Sequence, residues 1–311
     1  MQEAIIKDPI IILLSTFNGE RYLDQQLKSI LEQINVNLKL IIRDDGSSDS
    51  TKKIIKQYIR KYPEKINLIE GSNVGCVRSF FILCEYVQKY YPNVSYYGFA
   101  DQDDIWLNNK IYSGLNALTK LNNDIPSLYF CQKKIVDTEL NPIKIKNKDL
   151  IHANTFIDAC IGYAASGCCM IFNKSSLNLF LKSTPEDMYL HDSWMYKTVI
   201  ACGGQIIEDP KCLILYRQHE NNVIGVNNRI TKLKKRFKSF FKPNNLRSKE
   251  IIKIYNVYQT FMNEENKQIA NMLINYKTNY KYKIRLLLSK KFNHKNTNSI
   301  FLKLSFLFNK F

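Results

Sequence analysis

The sequence YYGFADQDDIW, at residues 96–106, joins a short apolar run to a cluster of carboxylates. The run Tyr96–Ala100 is typical of a strand that is buried on both faces. Three similar runs precede it, at Ile10–Leu14, Leu38–Ile42 and Ile66–Ile69. Apolar residues at helical spacing occupy the segments between these runs, over Tyr22–Leu31, Thr51–Tyr62 and Ser79–Tyr90. This alternation predicts an α/β fold with a doubly wound, mostly parallel sheet.

Polar clusters follow three of the four predicted strands, at the carboxyl ends where open α/β sheets bind their ligands. The sequence has no GxGxxG motif after the first strand and no GxxxxGK[ST] motif anywhere. Binding of a dinucleotide or a phosphate in a glycine-rich cradle is therefore disfavoured. Any phosphate must be held by other groups.

Asp101 and Asp103 are separated by one residue at the end of the fourth strand. On an extended chain such a pair points to the same side, so both carboxylates can face one hard cation. Two carboxylates leave room on Mg²⁺ or Mn²⁺ for the phosphate oxygens of a nucleotide diphosphate. The alternative interpretation is a capping cluster for a helix that starts near Leu107, with Asp104 as the cap.

Asp44 and Asp45 end the second strand and allow two interpretations as well. A carboxylate at this position can accept a hydrogen bond from the ring N–H of uracil or thymine. Alternatively, the segment 44–47 is a turn, and Asp49 or Ser50 caps the helix that follows it. We assign Asp49 to the cap.

The composition is that of a globular protein: 311 residues, 45% hydrophobic and 23% charged, with a net charge of +17. It excludes a disordered or collagenous chain. The eight cysteines form no CxxC pair and show no zinc-ligand spacing, which favours a reducing cytosol. We also expect no signal peptide and no transmembrane helix, because the apolar runs are too short.

The excess of basic residues is concentrated at the C-terminus. Residues 231–311 contain 19 Lys and Arg against three Glu, which accounts for 16 of the 17 net charges. This shift predicts a boundary near Val226–Ile230, between a domain over residues 1–226 and a basic, mainly helical region over residues 227–311.

The segment Tyr280–Phe311 alternates basic residues with Phe, Leu, Ile and Tyr. Such a pattern is typical of a helix that lies on an anionic membrane surface, with its apolar face in the headgroup boundary. A helix packed on the catalytic domain is the plainer alternative. Nucleic acid is a third possible partner, but the sequence contains no nucleic-acid-binding motif, and we expect none to bind. The long helical pattern around Glu250–Ile274 can form the surface of a homodimer.

Several of these segments and further motifs together resemble a known family. The motifs that carry the resemblance are Ser15-Thr16-Phe17-Asn18, Asp44 to Thr51, Asn73-Val74-Gly75, Asp101 to Trp106 with Lys110, Ala165-Ser166-Gly167, His191-Asp192-Ser193-Trp194 and Arg217 to Gly225. With these motifs in this order and spacing, the chain looks like a family-2 glycosyltransferase with a GT-A fold, over about residues 8–226. It is most similar to bacterial rhamnosyltransferase-like members that build cell-surface polysaccharides.

The resemblance implies a role for individual residues. The donor's nucleotide and sugar would be bound by Thr16, Phe17, Asn18, Asp45, Arg78, Asp101, Gln102 and Gly167. Of these, Arg78 can either reach a phosphate or support its loop. Asp101 and Asp103 would hold Mg²⁺ or Mn²⁺, joined by His219. Asp192 would be the general base, although its family partner, a Glu, is replaced here by His191.

The predicted function is therefore that of an inverting glycosyltransferase. The resemblance favours transfer of rhamnose from dTDP-rhamnose, with a UDP-hexose or UDP-HexNAc as the alternative donor. The expected acceptor is a glycan linked to polyprenyl diphosphate, in capsule, O-antigen or cell-wall synthesis. The enzyme would then be cytoplasmic and peripheral on the inner face of the cell membrane. A competing hypothesis from another class is a non-catalytic, basic nucleic-acid-binding protein whose acidic clusters are only helix caps.

Overall fold

The computed structural model describes residues 5–143, 155–161, 165–220, 246–289 and 303–310. The chain divides into two compact units. The first contains residues 1–148, 165–199 and 204–220, and the second contains 149–164, 200–203 and 221–311. The predicted boundary near residues 226–230 lies outside the described residues, as does the end of the motif that begins at Arg217, and the two-domain division stays a prediction.

One eight-stranded sheet forms the first unit, in the order β3-β2-β1-β4-β7-β6-β8-β5. The strands β1 to β4 pair in parallel, as predicted, whereas β7 is antiparallel to both of its neighbours. The strands are β1 Ile6–Thr16, β2 Val36–Asp44, β3 Ile66–Glu70, β4 Tyr96–Ala100, β5 Ile105–Trp106, β6 Ser127–Val136, β7 Met170–Asn173 and β8 Gln205–Arg217. The predicted α/β, mostly parallel fold is confirmed.

The strand register brings several strand ends to one edge of the sheet. Thr16 pairs with Asp44, and Leu14 pairs with Ala100, so β1, β2 and β4 end together. Because β7 runs antiparallel to both β4 and β6, the strands β6 and β4 share one direction. β8 is parallel to β6. β3 is parallel to β2, and its last residue, Glu70, pairs with Asp44. The carboxyl ends of six strands and the amino end of β7 therefore lie at the same edge.

The helices of the first unit connect these strands. They are α1 Leu23–Leu31, α2 Thr51–Lys61, α3 Cys76–Tyr90, α4 Lys110–Leu118, α6 Lys174–Phe180 and most of α7 His191–Ala201. The second unit contains α5 Phe156–Ile161, α8 Leu246–Tyr258, α9 Glu264–Asn275 and α10 Tyr280–Leu288. None of the helices in the described ranges combines the length and the apolar character that a membrane span requires.

Two local predictions are wrong. The apolar run Cys168–Phe172 predicts a strand with both cysteines buried. The strand begins only at Met170, because Gly167–Cys169 form a 3₁₀ turn, but Cys168 and Cys169 are buried. The helix expected near Leu107 begins at Lys110, because Ile105–Trp106 pair with β8 instead. Asp104 is therefore not its cap.

The helical pattern around Glu250–Ile274 corresponds to two helices rather than one. α8 ends at Tyr258, and Asn263 caps α9 by accepting a hydrogen bond from the Asn266 N–H at 2.8 Å. Apolar side chains of both helices, such as Ile254 and Leu273, are buried within the chain. The homodimer surface stays a prediction.

Asn173 joins the end of β7 to three neighbouring segments. Its buried side-chain oxygen accepts hydrogen bonds from the N–H groups of Ser127 and Ser176, both at 3.0 Å. Its amide nitrogen donates to the carbonyl oxygens of Asn123 and Ile125, at 3.2 and 2.8 Å. One side chain thus caps α6 and fixes the start of β6.

We expect Asn173→Ala to lower the free energy of unfolding by roughly 2–5 kcal/mol, because it removes a helix cap and leaves buried backbone groups without partners. Asn178→Ala is the matched control: Asn178 is exposed on the same helix and accepts one hydrogen bond, from Gln88 at 3.1 Å. Urea unfolding followed by circular dichroism measures both variants. Equal effects of the two substitutions would show that Asn173 does not anchor this region.

Candidate active site

The loop after β4 carries the predicted acidic motif, and its backbone is bent rather than extended. Gln102 leaves the cluster and binds the loop after β1. Its side-chain oxygen accepts a hydrogen bond from the Phe17 N–H at 2.9 Å, and its amide donates to the Phe17 carbonyl oxygen at 3.1 Å. A Cβ added at Gly19 would lie 2.4 Å from the Gln102 side-chain oxygen, so a larger residue would break this contact. Gln102 therefore joins the two loops at the site.

Asp103 pairs with His219, which follows the end of β8. The His219 Nε2 atom lies 2.6 Å from the Asp103 Oδ2 atom, and both side chains are largely buried. Arg217 holds these segments together, because its Nε donates to the Asp103 carbonyl oxygen at 3.0 Å and its guanidinium also binds the Thr138 carbonyl oxygen. The same guanidinium lies 4.5 Å from the ring centroid of Tyr22.

Asp101 faces a different pair of residues. One ligand atom from each of Asp101, Asp104 and Cys168 lies within 4.8 Å of the others. The Asp104 Oδ1 atom accepts a hydrogen bond from the Arg217 N–H at 3.4 Å, whereas its buried Oδ2 atom has no hydrogen-bond partner among the residues that the structure describes. Carboxylate oxygens are the ligands that Mg²⁺ and Mn²⁺ prefer, so the residues fit such a cation.

The acidic cluster, which consists of Asp101, Asp103 and Asp104, contains negative charges that repel one another. Burial, followed by the charges of Asp103 and Asp192, raises the pKa of Asp101 to about 7. Burial and the charge of Asp101 also raise the pKa of Asp104. The pKa of the Cys168 thiol is raised by its hydrogen bond to Cys169 and by burial, so this group stays neutral. The carboxylates would therefore supply the negative charge that binds a cation.

Asp192 lies in the first turn of α7 and is anchored through both carboxylate oxygens. Its Oδ2 atom accepts a hydrogen bond from the Gly167 N–H at 2.9 Å, and its Oδ1 atom accepts one from the Ser193 N–H at 2.6 Å. A Cβ added at Gly167 would lie 3.0 Å from the His191 Nε2 atom and 3.2 Å from the Asp192 Cβ. Glycine at position 167 thus lets the loop before β7 approach this carboxylate closely.

His191, which replaces the family's Glu, is a buried packing residue. Its ring stacks on Phe80 with centroids 3.9 Å apart and meets the edge of Phe99 at 4.9 Å. Burial lowers the pKa of its imidazole, so the ring is neutral. Trp194 is also fully buried, which assigns it to the core.

The end of β2 shows how Asp45 is held. Arg43 forms a buried ion pair with Asp45, whose carboxylate also accepts hydrogen bonds from the N–H groups of Val74 and Gly75, both at 2.9 Å. The hydroxyl of Thr16 is buried and donates to the Asp44 Oδ1 atom at 3.3 Å. These contacts fix the loop between β3 and α3 beside the ends of β1 and β2.

Three further predicted donor residues follow β1 or lie in the first turn of α3. Phe17 is 44% exposed, which leaves an aromatic face available to a ligand. Asn18, at φ +47°, accepts a hydrogen bond from the Ser48 N–H at 2.9 Å. Arg78 forms an ion pair with Glu186, so it supports its loop in this structure. Asp49 accepts a hydrogen bond from the Thr51 N–H at 3.0 Å, but the N-cap residue of α2 is Ser50.

Two lysines lie close to the carboxylates. Lys110, which belongs to a motif that carries the resemblance, is fully buried, with its Nζ atom 3.3 Å from the ring centroid of Trp106. Lys133 was not among the predicted site residues, and its Nζ atom lies 2.6 Å from the Ser166 Oγ atom. Because Lys133 lies on β6, a strand that the sequence did not predict, its position depends on contacts between distant parts of the chain.

Comparison with known proteins places this arrangement in a family. A family model described as Glycosyl transferase family 2 matches residues 11–180. The chain is 32% identical over 222 residues to the dTDP-rhamnosyl transferase RfbG of Shigella flexneri, and the match covers 69% of this chain and 74% of that protein.

Two solved structures share the fold. The S. aureus protein TarS 1-349, in complex with UDP-GlcNAc, matches with a TM-score of 0.52 and 14% identity, over 97% of this chain and 92% of that one. The mannosyltransferase PcManGT from Pyrobaculum calidifontis, in complex with GDP-Man and Mn²⁺, matches with a TM-score of 0.51 and 14% identity, over 97% of this chain and 88% of that one. These likenesses confirm the GT-A fold. The family model and the Shigella relative together show that the chain belongs to glycosyltransferase family 2.

Proposed function

We propose that the protein is an inverting, metal-dependent glycosyltransferase that moves rhamnose from dTDP-rhamnose to a hydroxyl of a lipid-linked glycan. The observation that carries this proposal is the position of Asp192 beside the acidic cluster. Burial and the charge of Asp103 contribute most to the raised pKa of Asp101, and the charge of Asp192 adds to them. A carboxylate that can act as a base thus lies next to the residues that would bind the donor's diphosphate.

In this reaction Asp192 accepts the proton of the acceptor hydroxyl. The oxygen of that hydroxyl forms a bond to the anomeric carbon of the sugar, while the bond from this carbon to the diphosphate oxygen breaks on the opposite side. The product therefore has the inverted anomeric configuration. The N–H groups of Gly167 and Ser193 orient the carboxylate.

The donor site would extend from the acidic cluster to the loop after β1. Asp101 and Asp103, with Asp104 and His219 beside them, would hold Mg²⁺ or Mn²⁺. When bound, the cation would neutralise the leaving diphosphate. The nucleotide base would lie near Thr16, Phe17, Asn18 and Asp45, where Phe17 offers an exposed ring. The Mn²⁺ bound with GDP-Man in the Pyrobaculum enzyme supports a divalent cation as the cofactor.

The identity of the donor sugar is supported by the relatives. The Shigella flexneri protein, at 32% identity, is a dTDP-rhamnosyl transferase. A UDP-hexose or UDP-HexNAc is the alternative donor, supported by the UDP-GlcNAc complex of TarS. The two donors differ in the base and in the sugar, so a direct comparison of dTDP- and UDP-linked substrates distinguishes them.

The acceptor would be a glycan on polyprenyl diphosphate, in the synthesis of capsule, O-antigen or cell-wall polysaccharide. The second unit supports this part of the proposal, because α10 carries Lys281, Lys283 and Arg285 beside exposed apolar residues. Tyr280 is 75% exposed and Leu288 is 74% exposed. Such a surface suits the anionic inner face of the cell membrane, where the acceptor is anchored. The enzyme would then be cytoplasmic and peripheral.

We expect Asp192→Asn to lower kcat by about 10²–10⁴-fold, because the amide cannot accept a proton. Binding of the donor nucleotide should be unchanged, since the amide oxygen can still accept the Gly167 hydrogen bond. Asp124→Asn is the control, because Asp124 is exposed before the amino end of β6, away from the site. Transfer from labelled dTDP-rhamnose and UDP-hexoses to a lipid-linked acceptor measures kcat. Retention of most activity in Asp192→Asn would assign the base elsewhere.

Membrane contact is tested with vesicles. A variant with Gln at Lys281, Lys283 and Arg285 should bind phosphatidylglycerol vesicles about 100-fold more weakly, because each basic residue contributes about 1 kcal/mol near an anionic surface. The control variant removes the same charge from α2, with Gln at Lys53, Arg60 and Lys61. An equal loss in both variants, or no binding of the wild-type protein, would contradict a membrane role for α10.

A further inference from the structure

Lys133 is a basic residue at the donor edge to which the proposed reaction assigns no role. It lies near the carboxyl end of β6, and its side chain is half-buried. Its Nζ atom donates to the Ser166 Oγ atom at 2.6 Å and lies 3.6 Å from the ring centroid of Tyr216 on β8. Ser166 immediately precedes Gly167, whose N–H binds the Asp192 carboxylate. Lys133 therefore contacts the loop that orients the base.

The charge of Lys133 acts on the acidic cluster itself. It lowers the pKa of Asp101 and of Asp104, in opposition to the burial of these carboxyls. Lys133 is thus a cation whose field reaches the place where the donor's phosphates would lie.

A nucleotide diphosphate would bring further negative charge next to the carboxylates of Asp101, Asp103, Asp104 and Asp192. One divalent cation does not balance this charge, and a phosphate without a compensating cation is repelled by the nearby Asp side chains. An ammonium group has three N–H donors, so it can bind a phosphate oxygen and the Ser166 hydroxyl at the same time.

We propose that Lys133 is a donor-binding residue that recognises the diphosphate of the nucleotide sugar. This inference rests on the proposed function. Lys133 would bind the phosphates and not the base, and through Ser166 it would connect diphosphate binding to the loop that holds Asp192. In the product complex the ammonium group would stabilise the diphosphate that the reaction releases.

The test compares Lys133→Met with Lys134→Met, which is a matched control. Lys134 is the next residue of the same strand, so its side chain points to the opposite face, and it is exposed. Binding of dTDP and of UDP is measured by calorimetry with Mn²⁺, and binding of thymidine and uridine by NMR titration. Titration with Mn²⁺ alone shows whether the metal site survives, and the melting temperature of each variant reports folding.

We expect Lys133→Met to weaken binding of the preferred diphosphate about 10- to 100-fold, because a hydrogen bond between two charged groups is lost. Binding of the nucleoside and of Mn²⁺ should not weaken, Lys134→Met should match the wild type, and Lys133→Arg should recover most of the affinity. Unchanged diphosphate binding in Lys133→Met, or an equal loss for the nucleoside, would overturn the assignment of Lys133 alone. Failure of the wild-type protein to bind any nucleoside diphosphate would overturn the proposed function and this inference together.

Discussion

The carboxylates of Asp101, Asp103, Asp104 and Asp192 lie together at one edge of the sheet, and their mutual repulsion is the constraint that the surrounding structure must overcome. Asp101 shows the cost most clearly, because burial and two neighbouring negative charges raise its pKa to about 7. Backbone N–H groups donate hydrogen bonds to Asp192 and Asp104. The positive charge of Lys133 lowers the pKa of Asp104, whereas burial raises it. A site that accumulates negative charge in this way is suited to bind a divalent cation.

The sheet topology makes this accumulation possible. Parallel strands bring their carboxyl ends together, so the loops after β1, β2 and β4 converge although they are far apart in sequence. The antiparallel strand β7 adds the loop of Gly167 to the same edge from the opposite direction. Arg217 then joins the end of β8 to the loop after β4, which brings His219 within 2.6 Å of Asp103.

The local pattern of the sequence predicted the first half of the fold, because strands buried on both faces and amphipathic helices leave clear periodicities. It also placed the acidic motif at a strand end. It did not predict the 3₁₀ turn at Gly167, the buried position of Asp104 or the role of Arg217. These features depend on contacts between residues that are distant in the chain, such as Arg217 with Asp103. The replacement of a Glu by His191 was visible in the sequence, but only its stacking on Phe80 shows that it packs in the core.

We infer that the acidic cluster destabilises the folded protein until it binds a cation and a nucleotide diphosphate. Thermal unfolding of the wild type and of Asp101→Asn at pH 8 tests it, with and without Mn²⁺ and with dTDP, UDP, GDP or CDP. Because the folded protein raises the pKa of Asp101 from 3.8 to about 7, the penalty is fully present at pH 8 and is lost progressively as the pH falls from 7 to 3.8. We expect ligand-free Asp101→Asn to melt at a higher temperature than the ligand-free wild type. We also expect that Mn²⁺ with dTDP or UDP stabilises only the wild type further. A lower melting temperature for the ligand-free variant, together with no shift of the wild type by any nucleotide, would contradict it.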